Sequence, residues 1–528
     1  MKKTLIFALL LLISLNVLSQ VPEVTFTKNI SSGNKSLKRS LGTVLLHADA
    51  EDIITSDLAT VTTNNVIAVY DFETLSMKET FIIKTPKIDG SIAYNSKMIF
   101  NKDKITVFYM TKDNKNNSRK VSGKIIDRES KKDDVKLKKL MSLSSKAKNT
   151  EIDHLQSPDK SKILFVGKPS NSYKYEILEQ GQKMDFGVFD MSLNLLMEKE
   201  LEFPKSYGVV IIHQVLLSNN GCISVVITPN ADDKEINGIN KVPMKYKVIA
   251  TNMSQKNFEE VAVLETGVNL NTCRGYASND TGNVITFFGL FSLNSGKSAS
   301  KSFYNGVYTL VLNTQMLKWK KEFYNDLNEK NIKKIENKTE KFQGRLSSEF
   351  NSNKNIDNLT VNSVSHHSKG MTVYGELNYK HSVSGSNGGS AMQYMSMQAV
   401  VFDLDVKGEL TNIYMIPKAQ RFISNDEFCG YLPNPNGSAK NIVFTDSPNN
   451  YGTGNPTYNQ TLPDFKKSVL SFVAIDAKGK LTKESITEAG KLSPVIDTRD
   501  VFLVNGNTYV TLGVLFKWKH LGVVKIAF

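Results

Sequence analysis

Three features of the sequence predict an all-β fold, built as a β-propeller of about eight four-stranded blades, with seven blades as the alternative. A short apolar segment ending in Asp or Asn recurs along the chain, and each copy follows a hairpin signal. In addition, each end of the mature chain carries a strand that lacks a hairpin partner. A unit repeated at a nearly regular spacing indicates a repeat architecture. Four short strands per unit are typical of a propeller blade.

The recurrent segment ends in a carboxylate or an amide and leads into a short turn. The next strand is charged and has alternating apolar residues. The last residues of the seven copies are Asp71, Asp127, Asp190, Asn252, Asn313, Asp403 and Asp476. The first five copies follow one another at 56 to 63 residues. Because Asn replaces Asp in two copies, we predict that these residues cap turns and do not form a catalytic carboxylate set.

A second signature precedes each copy and consists of a polar turn between two apolar segments. The clearest example is LQSPDKSKILFVG at Leu155–Gly167. Turn residues between runs of β-branched and aromatic residues predict a hairpin. Each repeat therefore contains two hairpins, with strands a to d counted from the innermost to the outermost. SPDKSKILFV resembles the hairpin turn of bacterial periplasmic propellers, and VAIDAKGKL resembles the c–d turn of quinoprotein-type repeats. The resemblance covers architecture alone and brings no quinone-site residue and no cofactor.

The two ends of the chain predict how the ring closes. LGVVKIAF at Leu521–Phe528 has the character of a c strand with no d strand after it, and EVTFTKN at Glu23–Asn29 is a single alternating strand. If the second completes the blade of the first, no sheet edge stays open at the closure. The propeller would have seven blades if the weak first repeat, Thr43–Lys84, were irregular.

Two repeats are longer than the others because they contain insertions. We predict one propeller domain over residues 20–528 with a charged, helix-prone insertion at 325–358, whose core is Asn325–Leu346. We predict a flexible Gly/Ser loop at His381–Gln393 and another long loop at Ser447–Pro463.

The first nineteen residues have the pattern of a secretory signal peptide. Lys2 and Lys3 precede an apolar stretch that ends in Val17, Leu18 and Ser19. Such a stretch is too short to span a bilayer, and no later segment reaches about 18 apolar residues. We therefore expect an exported protein without a transmembrane segment, located in the periplasm, at the cell surface or outside the cell. The signal and the Asn, Lys and Ile content are typical of a Gram-negative envelope protein.

The net charge favours acidic partners. The formal charge is +14, and removal of the two signal lysines leaves about +12. In an exported protein this predicts a protein or an anionic glycan as the partner, and no sequence motif indicates nucleic-acid binding.

No linear motif assigns a catalytic or metal-binding role. The seven histidines are not spaced for metal binding with Cys or carboxylates, and the nucleophile-elbow, P-loop and zinc-protease motifs are absent. His366 and His367 are adjacent, so in a strand they would point to opposite faces. The three cysteines suit buried thiols, with a Cys222–Cys273 bridge as a further possibility. We expect no cofactor, no metal and, on balance, no enzymatic activity.

The long b–c connections predict the binding face. In a propeller they emerge at the same end as the d–a connections, and the short a–b and c–d turns lie at the other end. Tyr among small polar residues is typical of adaptable recognition surfaces. The candidate ligand-binding residues are Lys168, Tyr173, Tyr175, Tyr304, Tyr379, Tyr394, Tyr451 and Tyr458. The sequence thus favours a non-catalytic binding or scaffold protein. The alternative is a secreted glycan hydrolase or lyase with its site at the channel mouth.

Overall fold

The computed structural model shows eight antiparallel sheets that form the blades of one β-propeller. It describes residues 21–26, 43–88, 91–131, 136–144, 150–169, 176–178, 183–229, 246–261, 268–270, 274–277, 283–293, 306–326, 359–384, 390–423, 429–434, 439–451, 468–476, 479–486, 494–515 and 520–528, apart from 58–63, 102, 114–117 and 417. The predicted signal peptide and the insertion beyond Asp326 lie outside these residues.

Blades 1 to 4 follow one another along the chain. Their strands, preceded by the N-terminal strand, are β1 (Glu23–Phe26), β2 (Thr43–Ala48), β3 (Asp52–Asp57), β4 (Asn64–Asp71), β5 (Met77–Lys84), β6 (Lys87–Ile88), β7 (Ser91–Ile92), β8 (Tyr94–Phe100), β9 (Lys104–Asp113), β10 (Ser118–Asp127), β11 (Lys138–Ser144), β12 (Thr150–Gln156), β13 (Lys162–Pro169), β14 (Glu176–Leu178), β15 (Lys183–Asp190), β16 (Leu195–Glu202), β17 (Val210–Leu217), β18 (Ile223–Pro229), β19 (Lys247–Thr251) and β20 (Glu259–Val261). Blade 1 is β2 to β5, blade 2 is β8 to β11, blade 3 is β12, β13, β15 and β16, and blade 4 is β17 to β20 with β14 paired to β17 as a fifth strand. The weak first repeat is therefore a regular blade. β6 and β7 form a separate two-stranded sheet. A single-turn 3-10 helix, Lys205–Tyr207, precedes β17.

Blades 5 to 8 complete the ring. Their strands are β21 (Val268–Leu270), β22 (Arg274–Ala277), β23 (Val284–Leu293), β24 (Gly306–Asn313), β25 (Lys318–Asp326), β26 (Leu359–His367), β27 (Gly370–Ser384), β28 (Ser390–Asp405), β29 (Leu410–Ile416), β30 (Gln420–Ile423), β31 (Leu432–Pro433), β32 (Lys440–Asp446), β33 (Val469–Ile475), β34 (Leu481–Ser485), β35 (Val495–Val504), β36 (Thr508–Leu515) and β37 (His520–Ala527). Blade 5 is β21 to β25, blade 6 is β26 to β29, blade 7 is β31 to β34, and blade 8 is β35 to β37 with β1. A second 3-10 turn, Pro448–Asn450, follows β32.

The N-terminal strand closes the last blade, as the sequence predicts. β1 pairs antiparallel with β37, with Val24 opposite Ile526 and Phe26 opposite Val524. Val24 and Phe26 also pack against the buried cluster of Ile526 and its neighbours. The closure therefore combines backbone pairing with apolar contact, and β37 has no open edge.

The hydrophobic core lies between adjacent blades. One buried cluster joins Phe186 of blade 3 to Val225 and Ile227 of blade 4, and another joins Tyr70 of blade 1 to Val510 of blade 8. The b and c strands are apolar at consecutive positions because both faces of each central strand are covered by a neighbouring blade.

The predicted capping role is confirmed for six of the seven recurrent residues. At Asp190, one carboxylate oxygen accepts backbone N–H groups of Ser192 and Asn194 at 2.9 and 2.8 Å. The same type of bond is made by Asp71, Asp127, Asn252, Asn313 and Asp476. An amide keeps the acceptor oxygen, so Asn substitutes for Asp in these turns.

The prediction is wrong for Asp403, because blade 6 places its turn two residues later. Asp405 accepts the N–H groups of Lys407 and Glu409 at 2.8 and 3.0 Å. Asp403 is instead buried, where it pairs with Lys440 Nζ of blade 7 at 2.5 Å. The sequence VVFDLD offers two aspartates, and only the second lies at the end of its strand.

Six of the seven c–d turns, all except that of blade 4, have a residue with positive φ three or four positions after the cap. Gly408 and Gly479 supply it in blades 6 and 7, but Leu75, Leu193 and Leu317 adopt φ values of 56°, 64° and 53°. This conformation costs a non-glycine residue roughly 1–2 kcal/mol. All three leucines are buried, and burial of a leucine side chain contributes a comparable amount. The apolar contact thus offsets the backbone cost.

Candidate functional site

We define the loop end of the propeller as the end with the b–c and d–a connections, and the turn end as the end with the a–b and c–d turns. The loop end carries an extension of blade 6 beyond the length of the other blades. β27 and β28 have 15 and 16 residues, and they remain paired as far as Ser384 opposite Ser390. Residues 381–384 and 390–393 are therefore strand, and the expectation of a flexible loop over His381–Gln393 is wrong there. Residues 385–389 lie outside the described chain.

A third strand widens this extension. β30 comes from the connection between blades 6 and 7 and pairs with β28, with Gln420 opposite Ser396. We call the sheet formed by residues 378–384, 390–396 and β30 the blade 6 platform. A register shift in the pairing of β27 with β28 lies at its base, between Glu376 and Asn378. Such bulges bend a strand and redirect it.

The register of the platform brings two of the predicted residues together. One row across the three strands is Lys380, Tyr394 and Phe422, and the next is Tyr379, Met395 and Arg421. The sequence analysis named the two tyrosines. It missed Arg421 and Phe422 because they lie in a d–a connection, although the aromatic and β-branched residues of QRFI are a weak strand signal.

A buried polar cluster fixes β30 to the blade. The Lys418 ammonium contacts the Glu376 carboxylate and the Ser396 hydroxyl, and it donates to Gln420 Oε1 at 2.9 Å. Lys418, Gln420 and Ser396 are all buried. Removing a charge pair from water is costly unless every group finds a partner, and here each charged group has at least two. The base of the platform is therefore held in one geometry.

The amide of Gln420 extends this cluster to blade 7. Its Nε2 donates to the carbonyl oxygen of Thr445 at 2.8 Å, and its Oε1 accepts the N–H of Gly430 at 2.9 Å. Gln420 thus links the platform of blade 6 to the neighbouring blade 7.

Tyr451 contacts a buried ion pair, and its predicted role in ligand binding stays a prediction. Its hydroxyl donates to Asp446 Oδ2 at 3.3 Å, and burial followed by the adjacent Asp446 charge raises its pKa well above the ordinary value. Asp446 also pairs with Lys483 Nζ at 2.7 Å, with both side chains buried. The Lys483 ammonium lies 5.5 Å from the centre of the Tyr451 ring. Tyr451 therefore covers this ion pair.

Lys168 is also turned inward. It lies near the loop-end terminus of β13, and its Nζ contacts Asp153 Oδ2 at 2.5 Å. The Lys168 side chain is 8% exposed and that of Asp153 is 57% exposed. The innermost strand of blade 3 thus presents a carboxylate backed by a buried lysine. Tyr173, Tyr175, Tyr304 and Tyr458 lie outside the described residues.

Five of the seven histidines lie on the innermost strands, which the sequence analysis did not foresee. They are His47, His154, His213, His366 and His367. Burial and the nearby charge of Lys97 lower the pKa of His154 to about 4, so it is neutral at pH 7. His366 contacts Thr286 of blade 5 and His367 contacts Thr372 of its own blade, at 3.0 and 3.1 Å. The prediction that this pair points to opposite faces is confirmed.

Two of the three cysteines, Cys222 and Cys429, lie in the described chain as free thiols. Cys222 is buried, and burial raises its pKa to about 12. Cys273 itself lies outside the described residues. No group of three or more His, Cys, Asp or Glu side chains within the described ranges could hold a metal ion. In the same ranges, no helix is long and apolar enough to cross a bilayer.

Comparison with known proteins places the chain by fold alone. No protein-family model matches it, and no curated protein matches it. Among solved structures it is similar to the β-propeller domain of the Trilobed protease from Pyrococcus furiosus, which has an open velcro topology, with 11% identity over 85% of this chain and 99% of that one and a TM-score of 0.33. It is similar to the acylaminoacyl peptidase of Pyrococcus horikoshii, with 11% identity over 90% of this chain and 58% of that one and a TM-score of 0.34.

A third similar structure is a protein of unknown function from Bacteroides caccae, with 12% identity over 71% of this chain and 93% of that one and a TM-score of 0.24. At these identities the likeness concerns the fold and not the activity.

Proposed function

We propose that this chain is an exported binding or scaffold protein of the cell envelope, which recognises a protein partner through the blade 6 platform at its loop end. The observation that carries the proposal is the extension of β27 and β28 as a paired sheet beyond their blade. A fixed surface loses little conformational entropy when it binds, which favours recognition.

The open edge of β27 favours a protein over a glycan. β26 pairs with β27 only as far as Leu377, and in the described chain no strand pairs with residues 378–384 along the inner edge, on the side of β26. An exposed strand edge can accept an extended peptide by strand addition, with backbone hydrogen bonds supplying affinity. The neighbouring rows contain Tyr, Phe and Arg, residue types enriched in protein-binding hot spots.

The charge of the chain favours an acidic partner segment. The formal charge is +14, and the platform rows include Lys380 and Arg421. Attraction between exposed charges is screened by salt, so binding through this surface weakens as the salt concentration rises from about 0.05 to 0.5 M.

The test uses two soluble probes, a phage-displayed library of acidic peptides and heparin as an anionic glycan. We expect the wild-type chain to select peptides, and the combined variant Tyr379→Ala, Tyr394→Ala and Phe422→Ala to lose that selection. The matched control is Lys478→Ala with Lys480→Ala, which changes a c–d turn. Selection that survives the platform variant, or is lost in the control, contradicts the proposed surface.

Heparin binding and an activity assay distinguish a peptide partner from a glycan partner and from a glycan-active enzyme. Binding of heparin that the platform variant abolishes assigns a glycan to the same surface in place of a peptide. Release of new reducing ends from envelope polysaccharides would instead support the glycan-active enzyme, which stays a prediction from the sequence.

A further inference from the structure

Exposed large apolar residues concentrate at the turn end of the propeller. Eight exposed large apolar residues of the described chain lie at this end or within two residues of it. They are Val21, Met77, Leu195, Leu196, Met253, Met316, Val406 and Leu503. Ile82, near the other end of β5, is the exception in the described chain. Single exposed apolar residues are ordinary on protein surfaces, and burial is described for few loop-end residues, so the composition of the turns themselves is what distinguishes this end.

Three consecutive blades repeat the same arrangement in their c–d turns. Met253, Met316 and Val406 are 42%, 62% and 58% exposed in blades 4, 5 and 6. An exposed lysine follows each of them within three residues, and the three lysines are Lys256, Lys318 and Lys407. Each turn thus presents an apolar side chain beside an ammonium group, although in blade 6 the carboxylates of Asp405 and Glu409 lie in the same turn and leave it without net positive charge.

Blades 4 and 5 also lack the usual carboxylate in the turn. Their caps are Asn252 and Asn313, which hold the turns through amide oxygens at 3.0 and 2.9 Å from backbone nitrogens. The turn residues 252–257 and 313–318 contain no Asp or Glu. Asn252 further donates to the carbonyl oxygens of Thr314 and Gln315, at 3.1 and 2.8 Å. The two turns are therefore neutral at their caps, positive overall and fixed to each other.

We propose that the c–d turns of blades 4, 5 and 6 dock onto an anionic lipid surface. Isolated apolar side chains flanked by lysines suit the membrane interface, where the apolar group enters the headgroup boundary and the lysine remains with the lipid phosphates. A protein interface core is instead depleted of lysine and enriched in aromatic residues, and these turns show the reverse. Docked in this way, the propeller would direct its loop end away from the lipid.

The test measures co-sedimentation of the full chain with vesicles. One set contains phosphatidylcholine alone, and the other contains phosphatidylcholine and phosphatidylglycerol at about 7 to 3. We expect binding to the anionic set only. Each lysine near such a surface contributes about fivefold in affinity, so Lys256→Glu, Lys318→Glu and Lys407→Glu together should weaken binding by more than about 100-fold. Met253→Ser, Met316→Ser and Val406→Ser together should weaken it by at least about tenfold.

Matched controls separate docking from general charge and from folding. Lys87→Glu with Lys205→Glu reverses two exposed lysines of d–a connections, and Ile82→Ser removes the exposed apolar residue away from the turn end. These variants should bind vesicles nearly as the wild type does, and all variants should keep its melting temperature within a few degrees. Equal loss in the controls, equal binding to both vesicle sets, or a wild-type dimer that the serine variant dissociates would overturn the proposal.

Discussion

The side-chain amide of Asn252 donates a hydrogen bond of 2.8 Å to the backbone carbonyl oxygen of Gln315. This contact joins the c–d turns of two neighbouring blades. It also explains why an amide occupies a capping position that other blades give to a carboxylate, because a carboxylate at neutral pH has no hydrogen to donate.

Replacing Asn252 with Asp should therefore destabilise the protein by roughly 1–3 kcal/mol, since an anion would face two carbonyl oxygens. The reverse change in blade 3, Asp190→Asn, keeps the acceptor and should cost no more than about 1 kcal/mol. Urea unfolding of both variants checks the difference. Equal losses would show that the caps are interchangeable, and loss of function in a folded Asp190→Asn protein would restore a carboxylate site.

The buried pair beneath the platform should be intolerant of single changes. Lys418→Met leaves the Glu376 carboxylate buried without its cation, which we expect to cost about 3–5 kcal/mol. The double variant Lys418→Met with Glu376→Leu removes both charges and should recover most of that loss. Thermal unfolding of the four proteins in the cycle measures the coupling. If the double variant is no more stable than Lys418→Met, the pair is not coupled as its contact implies.

Removal of residues 21–26 should lower the stability by several kcal/mol, because β37 would lose a full strand of partners and the contacts of Val24 and Phe26. The measurement is the melting temperature, with the double change Glu23→Ala and Thr25→Ala as a control that keeps the backbone pairing. An unchanged melting temperature of the deletion variant would contradict closure by this strand.

His154 should make the stability depend on pH in a defined window. Its pKa is about 4 in the folded chain and about 6.5 when exposed, so the unfolded state takes up the proton first as the pH falls. Its contribution is complete above pH 6.5 and is lost progressively down to about pH 4, for a total of roughly 2–3 kcal/mol. Urea unfolding at several pH values checks this slope, and His154→Gln should reduce it. A His154→Gln profile parallel to the wild type would contradict the assignment.

The sequence alone predicted those parts of the fold that depend on local chemistry. Turn residues such as Asp190 and Asn313 hold their own backbone, so their pattern predicts both the hairpins and the repeat. The orphan strand at Glu23–Asn29 predicts the closure because only one unpaired partner existed for it. The same two observations favoured eight blades, and the weak first repeat left seven open until the structure showed a regular first blade.

The site was harder to predict because it depends on pairing between distant segments. Residues 381–393 are rich in Gly and Ser, which favours a loop, yet most of them are paired, and β30 joins from another connection. Tyr451 was placed on the binding face because it lies in a segment with loop composition. In the structure its hydroxyl bonds to Asp446, and its ring lies beside the Lys483 ammonium. A single sequence does not reveal such partners.

The pairing of β1 with β37 also has a consequence for the order of events during folding. Blades 1 to 7 are each built from strands that are close in sequence, so they can form while the chain is still being synthesised. Blade 8 must wait for β37, and joining strands so far apart in sequence is slow. Until then the ring is an open arc whose first strand has nothing to pair with. The last step of assembly is therefore the pairing of the two ends of the chain, and the ring is complete only after β37 has been synthesised.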